Sequence, residues 1–449
     1  MNLMLPRGSV EDGLIEAIED YSNQNIFACN QCGKCTASCP FSFSPQQVIR
    51  LLQIGDVERA IEVDTTWECA GCLTCATVCP KNVNPARVMR LLRTVRAGPL
   101  ANMVQAGQLG DGRQYMAAAA QQYRAHGRSL RSKFFANIHR ISRVASATAP
   151  VSNWLLRIPG AGFAAHHVLG IHKARSLPPF ASISFPAWFR QHTPVGDGHR
   201  GAVILFHDTF MDFDSPQVGV AATELIEAAG YRVELSDTVC CGRPMISKGF
   251  LDRAAEHARV NVERLYEPAS KGTYVVGCEP SCLLTLRDEY PELLRKTQLL
   301  DKAAVVAQHS LLIDEFLVML AERKELELSF KAAPDDARPL LFHGHCQQKA
   351  FASPAKTISL LNQAGYRAEL VDAACCGMAG AFGYEVEHYE TSKAACARML
   401  LPALDARPDA DVAVMGISCR KQIAHFAGRE ASHVAEMLRK AAVIPAPRA

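Results

Sequence analysis

Eight cysteines near the amino terminus are spaced for iron chemistry. Cys29, Cys32, Cys35 and Cys39, the last followed by Pro40, recur as Cys69, Cys72, Cys75 and Cys79, the last followed by Pro80. Each run reads C-x2-C-x2-C-x3-C-P. In such paired runs three thiolates grip one cubane from a tight loop and the fourth ligates the other. The spacing therefore gives Cys29, Cys32, Cys35 and Cys79 to one [4Fe–4S] cluster, and Cys69, Cys72, Cys75 and Cys39 to a second. Zinc also accepts C-x2-C pairs, but it needs four thiolates per site and neither the interleaving nor the proline.

A second set of cysteines lies in an internal repeat. Ala229-Gly230-Tyr231-Arg232 leads to Cys240-Cys241-Gly242, and Ala364-Gly365-Tyr366-Arg367 leads to Cys375-Cys376-Gly377. Adjacent cysteines on one turn make poor disulfides, and the glycine lets backbone approach a bulky inorganic ligand. With Cys346 and Cys419, the second repeat offers four thiolates. The first repeat has Phe210 where Cys346 would stand. It keeps Cys240, Cys241, Cys278 and Cys282, enough for an iron–sulfur cluster or a structural zinc, with Asp208 as an oxygen ligand. His343 and His345 flank Cys346. They can supply a nitrogen ligand, as in Rieske centres, but proton transfer or hydrogen bonding is the preferred role. Cys396 reads as a core thiol.

The elements that must position these groups are also legible. Ser44-Pro45-Gln46-Gln47 predicts a capped helix with Val48, Ile49, Leu52, Val57 and Ile61 on its apolar face, and Asn84-Pro85 opens another. Residues 10–20 predict a short acidic helix. Residues 114–147 predict a basic helical stretch in which Phe134, Phe135, Ile138 and Ile141 interleave. The prolines between 150 and 190 predict a broken connector. Beyond Gly201 strands alternate with helices, as in parallel α/β units. Each repeat opens with a strand, at 202–206 or 340–343, and ends with another, at 273–277 or 412–416. The expected class is α+β and multidomain. It comprises an α-helical two-cluster domain at 1–100, a basic helical connector or docking segment at 101–200, and α/β lobes at 201–330 and 331–449, joined by a polar linker over 324–339.

Residues 20–97 resemble the C subunit of heterodisulfide reductase and the N-terminal iron–sulfur parts of glycolate and anaerobic glycerol-3-phosphate dehydrogenases. The repeats resemble the CCG domains of the heterodisulfide reductase B subunit, which hold non-cubane [4Fe–4S] clusters. That family's closing C-x-x-C is reduced here to Ser418-Cys419-Arg420-Lys421, one cysteine fewer, so a cubane and a non-cubane cluster are both open. Phe185-Pro-Ala-Trp188-Phe189, Glu279-Pro-Ser-Cys282 and the run from Cys375 to Tyr384 also look like the C-terminal iron–sulfur part of FAD-linked 2-hydroxyacid oxidoreductases.

Charge and composition bound the function. From Cys69 to Gly196 the only acid is Asp111 against sixteen lysines and arginines. That is a net +15 in a chain of net +3, leaving −12 elsewhere. Such a field favours an acidic partner or anionic lipid; no nucleic-acid partner is expected. Ligand-spaced cysteines in a chain without a recognisable export signal place it in a reducing compartment, the cytoplasm, with peripheral contact to the inner membrane as an option. No flavin or nicotinamide fingerprint is present, Gly377, Gly380 and Gly383 lacking the strand–turn–helix context. Substrate oxidation is therefore expected on a partner, an FAD-containing dehydrogenase or an electron-transferring flavoprotein, with quinone as acceptor. A disulfide reductase acting at the second Cys-Cys-Gly site is the alternative. A zinc-stabilised scaffold is a third reading.

Overall fold

Strands covered by helices on both faces must be apolar throughout rather than alternating, and Ala202-Val-Ile-Leu-Phe206 and Pro339-Leu-Leu-Phe-His343 fit that demand. The computed structural model describes residues 18–93, 129–332 and 338–445. Within them β1 (Ala202–Phe206), β2 (Arg232–Leu235), β3 (Val275–Gly277) and β4 (Ser310–Leu312) form a parallel sheet in the order β2-β1-β3-β4. A second parallel sheet, β6-β5-β7-β8, is built from β5 (Pro339–His343), β6 (Arg367–Leu370), β7 (Asp411–Val414) and β8 (Ser432–His433). The short strands β4 and β8 are absent from the sequence reading because two or three residues carry no measurable periodicity.

In each sheet the chain runs outward on both sides of the opening strand. The crevice at the carboxyl ends therefore lies between β1 and β3, and again between β5 and β7, where open parallel sheets take their ligands. One apolar core spans both lobes, joining Val203, Leu205 and Phe206 to Phe342, Leu360, Leu361 and Leu438. A separate core in the second lobe takes in Cys39 and Phe41 from the N-terminal domain.

Among the described residues, 18–93 contain helices and no strand. The helix Pro85–Leu92 buries Val88, Leu91 and Leu92, and Asn84 caps it by accepting the Arg87 N–H at 3.2 Å. Ser44 does occupy the N-cap of the helix Pro45–Gln53, but the expected capping box does not form. The Ser44 N–H that Gln47 would have bound is donated to Thr65 Oγ1. The helix also ends at Gln53, and Val57 and Ile61 belong to a second helix, Val57–Glu62, capped by Asp56. Most of the acidic segment at 10–20 and residues 114–128 of the basic stretch lie outside the described residues.

The basic charge is partly spent inside the molecule. Arg87 and Arg90, on Pro85–Leu92, pair with Asp288, Glu289 and Glu292 of the first lobe, and Arg243 shares Glu289. Glu289 is buried, yet the three guanidiniums hold it ionised against its desolvation. Such a network specifies one docking geometry more than it adds net stability. The connector is a series of short helices, Leu130–Ala136, Ile138–Ala147, Ala149–Arg157 and Ala161–Leu169. Arg131 ties it to Glu385 and Glu387 of the second lobe, and Lys248 of the first lobe meets the same Glu385.

Glu385 is the hinge pin of that junction. Burial opposes its charge, but His388, Lys248 and Arg131 outweigh burial and hold its carboxyl at about 2, against an ordinary 4.5. A depressed carboxylate stabilises the fold above its unfolded value and loses that contribution as pH falls through the folded value. The difference corresponds to about 3 kcal/mol. Glu385→Gln is expected to lower stability at pH 7 by about 2–3 kcal/mol, with the gap to wild type closing between pH 4.5 and 2. Urea unfolding across that range checks this, and a gap independent of pH contradicts it.

Candidate metal centres

The two N-terminal loops lie against each other. Cys29 lies close enough to Cys79 and Cys32 that ionising one opposes ionising the next, and Cys35 senses Cys29. Cys39 senses Cys72 and Cys69, and Cys75 senses Cys69 and Cys72. Cys79 thus lies beside Cys29 of the first run, and Cys39 beside Cys69 and Cys72 of the second. Left-handed backbone at Gln31 and Gly33, matched by Gly71 and Leu73, turns the loops around their thiols. Burial pushes Cys39 up to about 11 and Cys75 well above the usual thiol range. A metal bound there would have to displace protons from these sulfurs.

The two groups differ in exposure. Cys32 is exposed and Cys29, Cys35 and Cys79 are partly so. Cys39 shares an apolar cluster with Cys375, Cys376 and Cys419, and the Cys72 thiol adjoins that of Cys375. That neighbour draws Cys72 down to about 7. The second N-terminal group therefore abuts the second lobe directly.

In the second lobe, the crevice between β5 and β7 gathers Cys346, Cys375, Cys376 and Cys419. Cys375 adjoins Cys346 and Cys376, and Cys376 adjoins Cys419. The thiols of Cys375 and Cys419, aided by His343, hold Cys376 well below the usual range against its burial. Gly377 is essential to the turn. Its φ is +92°, and a Cβ there would stand 2.3 Å from the Ser392 carbonyl oxygen. Its N–H donates to Cys375 Sγ at 3.4 Å. Behind the turn the buried Arg175 guanidinium donates to Gly383 O at 2.9 Å and to Gln422 Oε1 at 2.7 Å, with the rings of Tyr389 and Phe426 around it.

The two sequence-predicted histidines part ways. His345 caps the helix Cys346–Phe351, its Nδ1 accepting the Gln347 N–H at 3.2 Å, and burial lowers it to about 4. His343, at the end of β5, is fully buried and faces Cys376 and Cys419.

The first lobe arranges its thiols differently. Cys241 adjoins Cys240 and Cys282, and Cys240 is flanked by His139 of the connector and His257. The groups that weigh most on Cys278, after burial, are the carboxylates of Asp208, Asp314 and Glu279. Asp208 is occupied as a helix cap, its Oδ1 accepting the N–H groups of Phe210 and Met211 at 2.9 and 3.1 Å. Burial and Glu279 raise it to about 7. His139 and His257 escape sequence reading because no spacing links them to Cys240; the fold alone brings the connector there.

Residues 22–80 match the family described as 4Fe-4S dicluster domain, and residues 204–287 match the cysteine-rich CCG domain. The chain carries a dicluster iron–sulfur domain and a CCG domain. Its relatives include the C subunit of anaerobic glycerol-3-phosphate dehydrogenase from Escherichia coli (strain K12), 30% identical over 269 residues, 59% of this chain and 66% of that one. D-2-hydroxyglutarate dehydrogenase from the same strain is 28% identical over 241 residues, 53% of this chain but 22% of that protein. Lactate utilization protein A of Bacillus pumilus is 30% identical over 131 residues, 29% of this chain and 53% of that one. The chain thus spans just under two thirds of the first relative and about a fifth of the second.

The two CCG turns make a paired test. Gly377→Ala incurs both a left-handed alanine and a clash with fixed backbone, about 3 kcal/mol together. At Gly242, φ is +84° but a Cβ would meet nothing closer than 3.4 Å, so Gly242→Ala costs only about 1 kcal/mol. Iron and sulfide analysis of anaerobically purified protein should show iron lost from the second lobe in the first variant and retained in the second. Equal iron in both would contradict the role assigned to Gly377.

Proposed function

We propose that the chain is the iron–sulfur electron-transfer subunit of a flavin-dependent dehydrogenase complex. Cys29, Cys32, Cys35 and Cys79 would hold one [4Fe–4S] cluster, Cys69, Cys72, Cys75 and Cys39 a second, and Cys346, Cys375, Cys376 and Cys419 a third. Of the four first-lobe cysteines expected as ligands, Cys240, Cys241 and Cys282 would hold iron or zinc, and Cys278, whose charged neighbours are carboxylates, would not. Bound there, clusters supply one-electron carriers that accept no hydride, so a flavoprotein partner must do the substrate chemistry. The observation that carries this reading is the Cys72–Cys375 contact, which joins the dicluster domain to the second CCG turn. Exposed Cys32 marks the other end, where a partner would dock.

The acceptor end favours quinone. A cavity of about 190 Å³ opens beside the same junction. Its walls are largely apolar, with Phe135, Ile138 and Ile141 from the connector and Phe180 and Phe213 opposite, and its floor includes Cys72 and Cys346. Lys421, Lys248 and His345 supply polar groups at its edge for protons. Outside it, the mutually packed connector helices expose Val144, Trp154, Phe163 and Val168 near Arg140, Arg143 and Arg157. An exposed apolar surface with basic neighbours suits peripheral contact with an anionic bilayer. No helix among the described residues is long and apolar enough to cross one.

Ile141→Trp is expected to fill the cavity. It should lower reduction of a quinone analogue at least tenfold while leaving iron content and reduction by dithionite unchanged. Wild-type protein purified without oxygen should contain about 12 Fe with matching sulfide if the three sets are filled by [4Fe–4S] clusters. Turnover with a disulfide and none with quinone would favour the reductase reading. Zinc without sulfide would end the redox one.

A further inference from the structure

His343 is the least explained polar group in the second lobe. It is completely buried, neither Nδ1 nor Nε2 has a nitrogen or oxygen partner among the described residues, and its ring interacts with the Cys376 thiol. A buried imidazole with no nitrogen or oxygen partner loses its hydration without compensation unless something in the finished protein binds it. The first lobe supplies a comparison within the same chain. His207 follows β1 much as His343 ends β5, and it is anchored on both sides, Nδ1 to Asp212 at 2.9 Å and Nε2 to Ser236 O at 3.1 Å. His343 has no such carboxylate. Its surroundings are sulfur.

The position of that sulfur is informative. A ring nitrogen of His343, Cys376 Sγ and Cys419 Sγ all lie within 4.8 Å of one another. Ligands bound to one tetrahedral metal at about 2.0–2.3 Å stand roughly 3.5–4 Å apart. The three atoms therefore stand close enough to take part in one metal centre. They come from three elements, the end of β5, the CCG turn and the helix Ile417–Ala427 that follows β7, and these meet in the crevice between β5 and β7.

We propose that His343 is a nitrogen ligand of the iron–sulfur centre bound at the second CCG site, the donor that stands in for the cysteine missing from the closing C-x-x-C. This rests on the reading that the site holds an iron–sulfur cluster. Cys346, Cys375, Cys376 and Cys419 would supply its thiolates. A neutral imidazole in place of a thiolate removes one negative charge from the coordination sphere, and in Rieske centres such replacement raises the reduction potential.

The test uses the full chain, purified anaerobically after growth with ¹⁵N-histidine and, separately, with natural-abundance histidine. Pulsed EPR of the reduced protein should show a strong nitrogen coupling whose pattern changes with the isotope. His343→Cys should keep its iron and sulfide, lose that coupling, and lower the potential of one centre. His343→Phe, which fills the space without a donor atom, should lose both the coupling and part of the iron. If the second-lobe cluster is present by iron and sulfide analysis but shows no histidine coupling, or if His343→Cys leaves coupling and potential unchanged, the ligation is wrong while the electron-transfer reading stands. Absence of iron from the second lobe in wild-type protein overturns both.

Discussion

Thiols from distant parts of a chain do not converge unless the backbone between them is held rigidly. The meeting of Cys72 with Cys375 depends on that more than any other feature here. About three hundred residues separate the two in sequence. Their contact requires the dicluster domain to sit on the second lobe in one orientation. That orientation is fixed by Cys39 and Phe41 entering the core of the second lobe and by Arg398 donating to the Cys39 and Ala37 carbonyls at 3.0 Å. On the first-lobe side, the cluster of Arg87, Arg90 and Arg243 around Glu289 does the same work electrostatically. Buried charges are poor glue but good registers, because any slip leaves one of them unpaired.

The connector is placed by the same logic. Its basic side chains are not all waiting for an outside partner: Arg131 and Arg175 are committed to the second lobe, and only part of the +15 field faces solvent. Its helices cover the junction between the domains with phenylalanine and isoleucine on the inside. They thereby create an apolar chamber beside the thiols while presenting further apolar side chains outward. Both faces follow from short helices that are apolar beyond what one buried stripe needs.

The two lobes show how one architecture accommodates different sites. Each places its opening strand, CCG turn and third strand alike, and each CCG glycine adopts positive φ. Replacement of a cysteine by Phe210 removes one thiol from the first crevice, and Asp208 turns to cap a helix. Of the four surviving thiols, Cys240, Cys241 and Cys282 gather instead near two histidines from other elements, while Cys278 stands among carboxylates. In the second lobe the thiols remain in the crevice, and His343 faces them without any competing partner.

The sequence alone determined whatever depends on short spacing. The two C-x2-C-x2-C-x3-C-P runs, the repeat carrying Cys240-Cys241-Gly242 and Cys375-Cys376-Gly377, and the apolar opening strands could be read directly, because a tight loop or a buried parallel strand leaves its constraint within a few neighbouring residues. The capping box expected at Ser44 does not form for the opposite reason, since Thr65 competes for the same N–H from outside the local window. Tertiary structure decided the rest: that Cys72 meets Cys375, that His139 reaches Cys240, that His345 is a cap while His343 faces the thiols, and that Arg87 and Arg90 face inward. Each of these depends on which distant surfaces pack together, a matter settled by the summed burial and charge pairing of whole domains rather than by any run of residues.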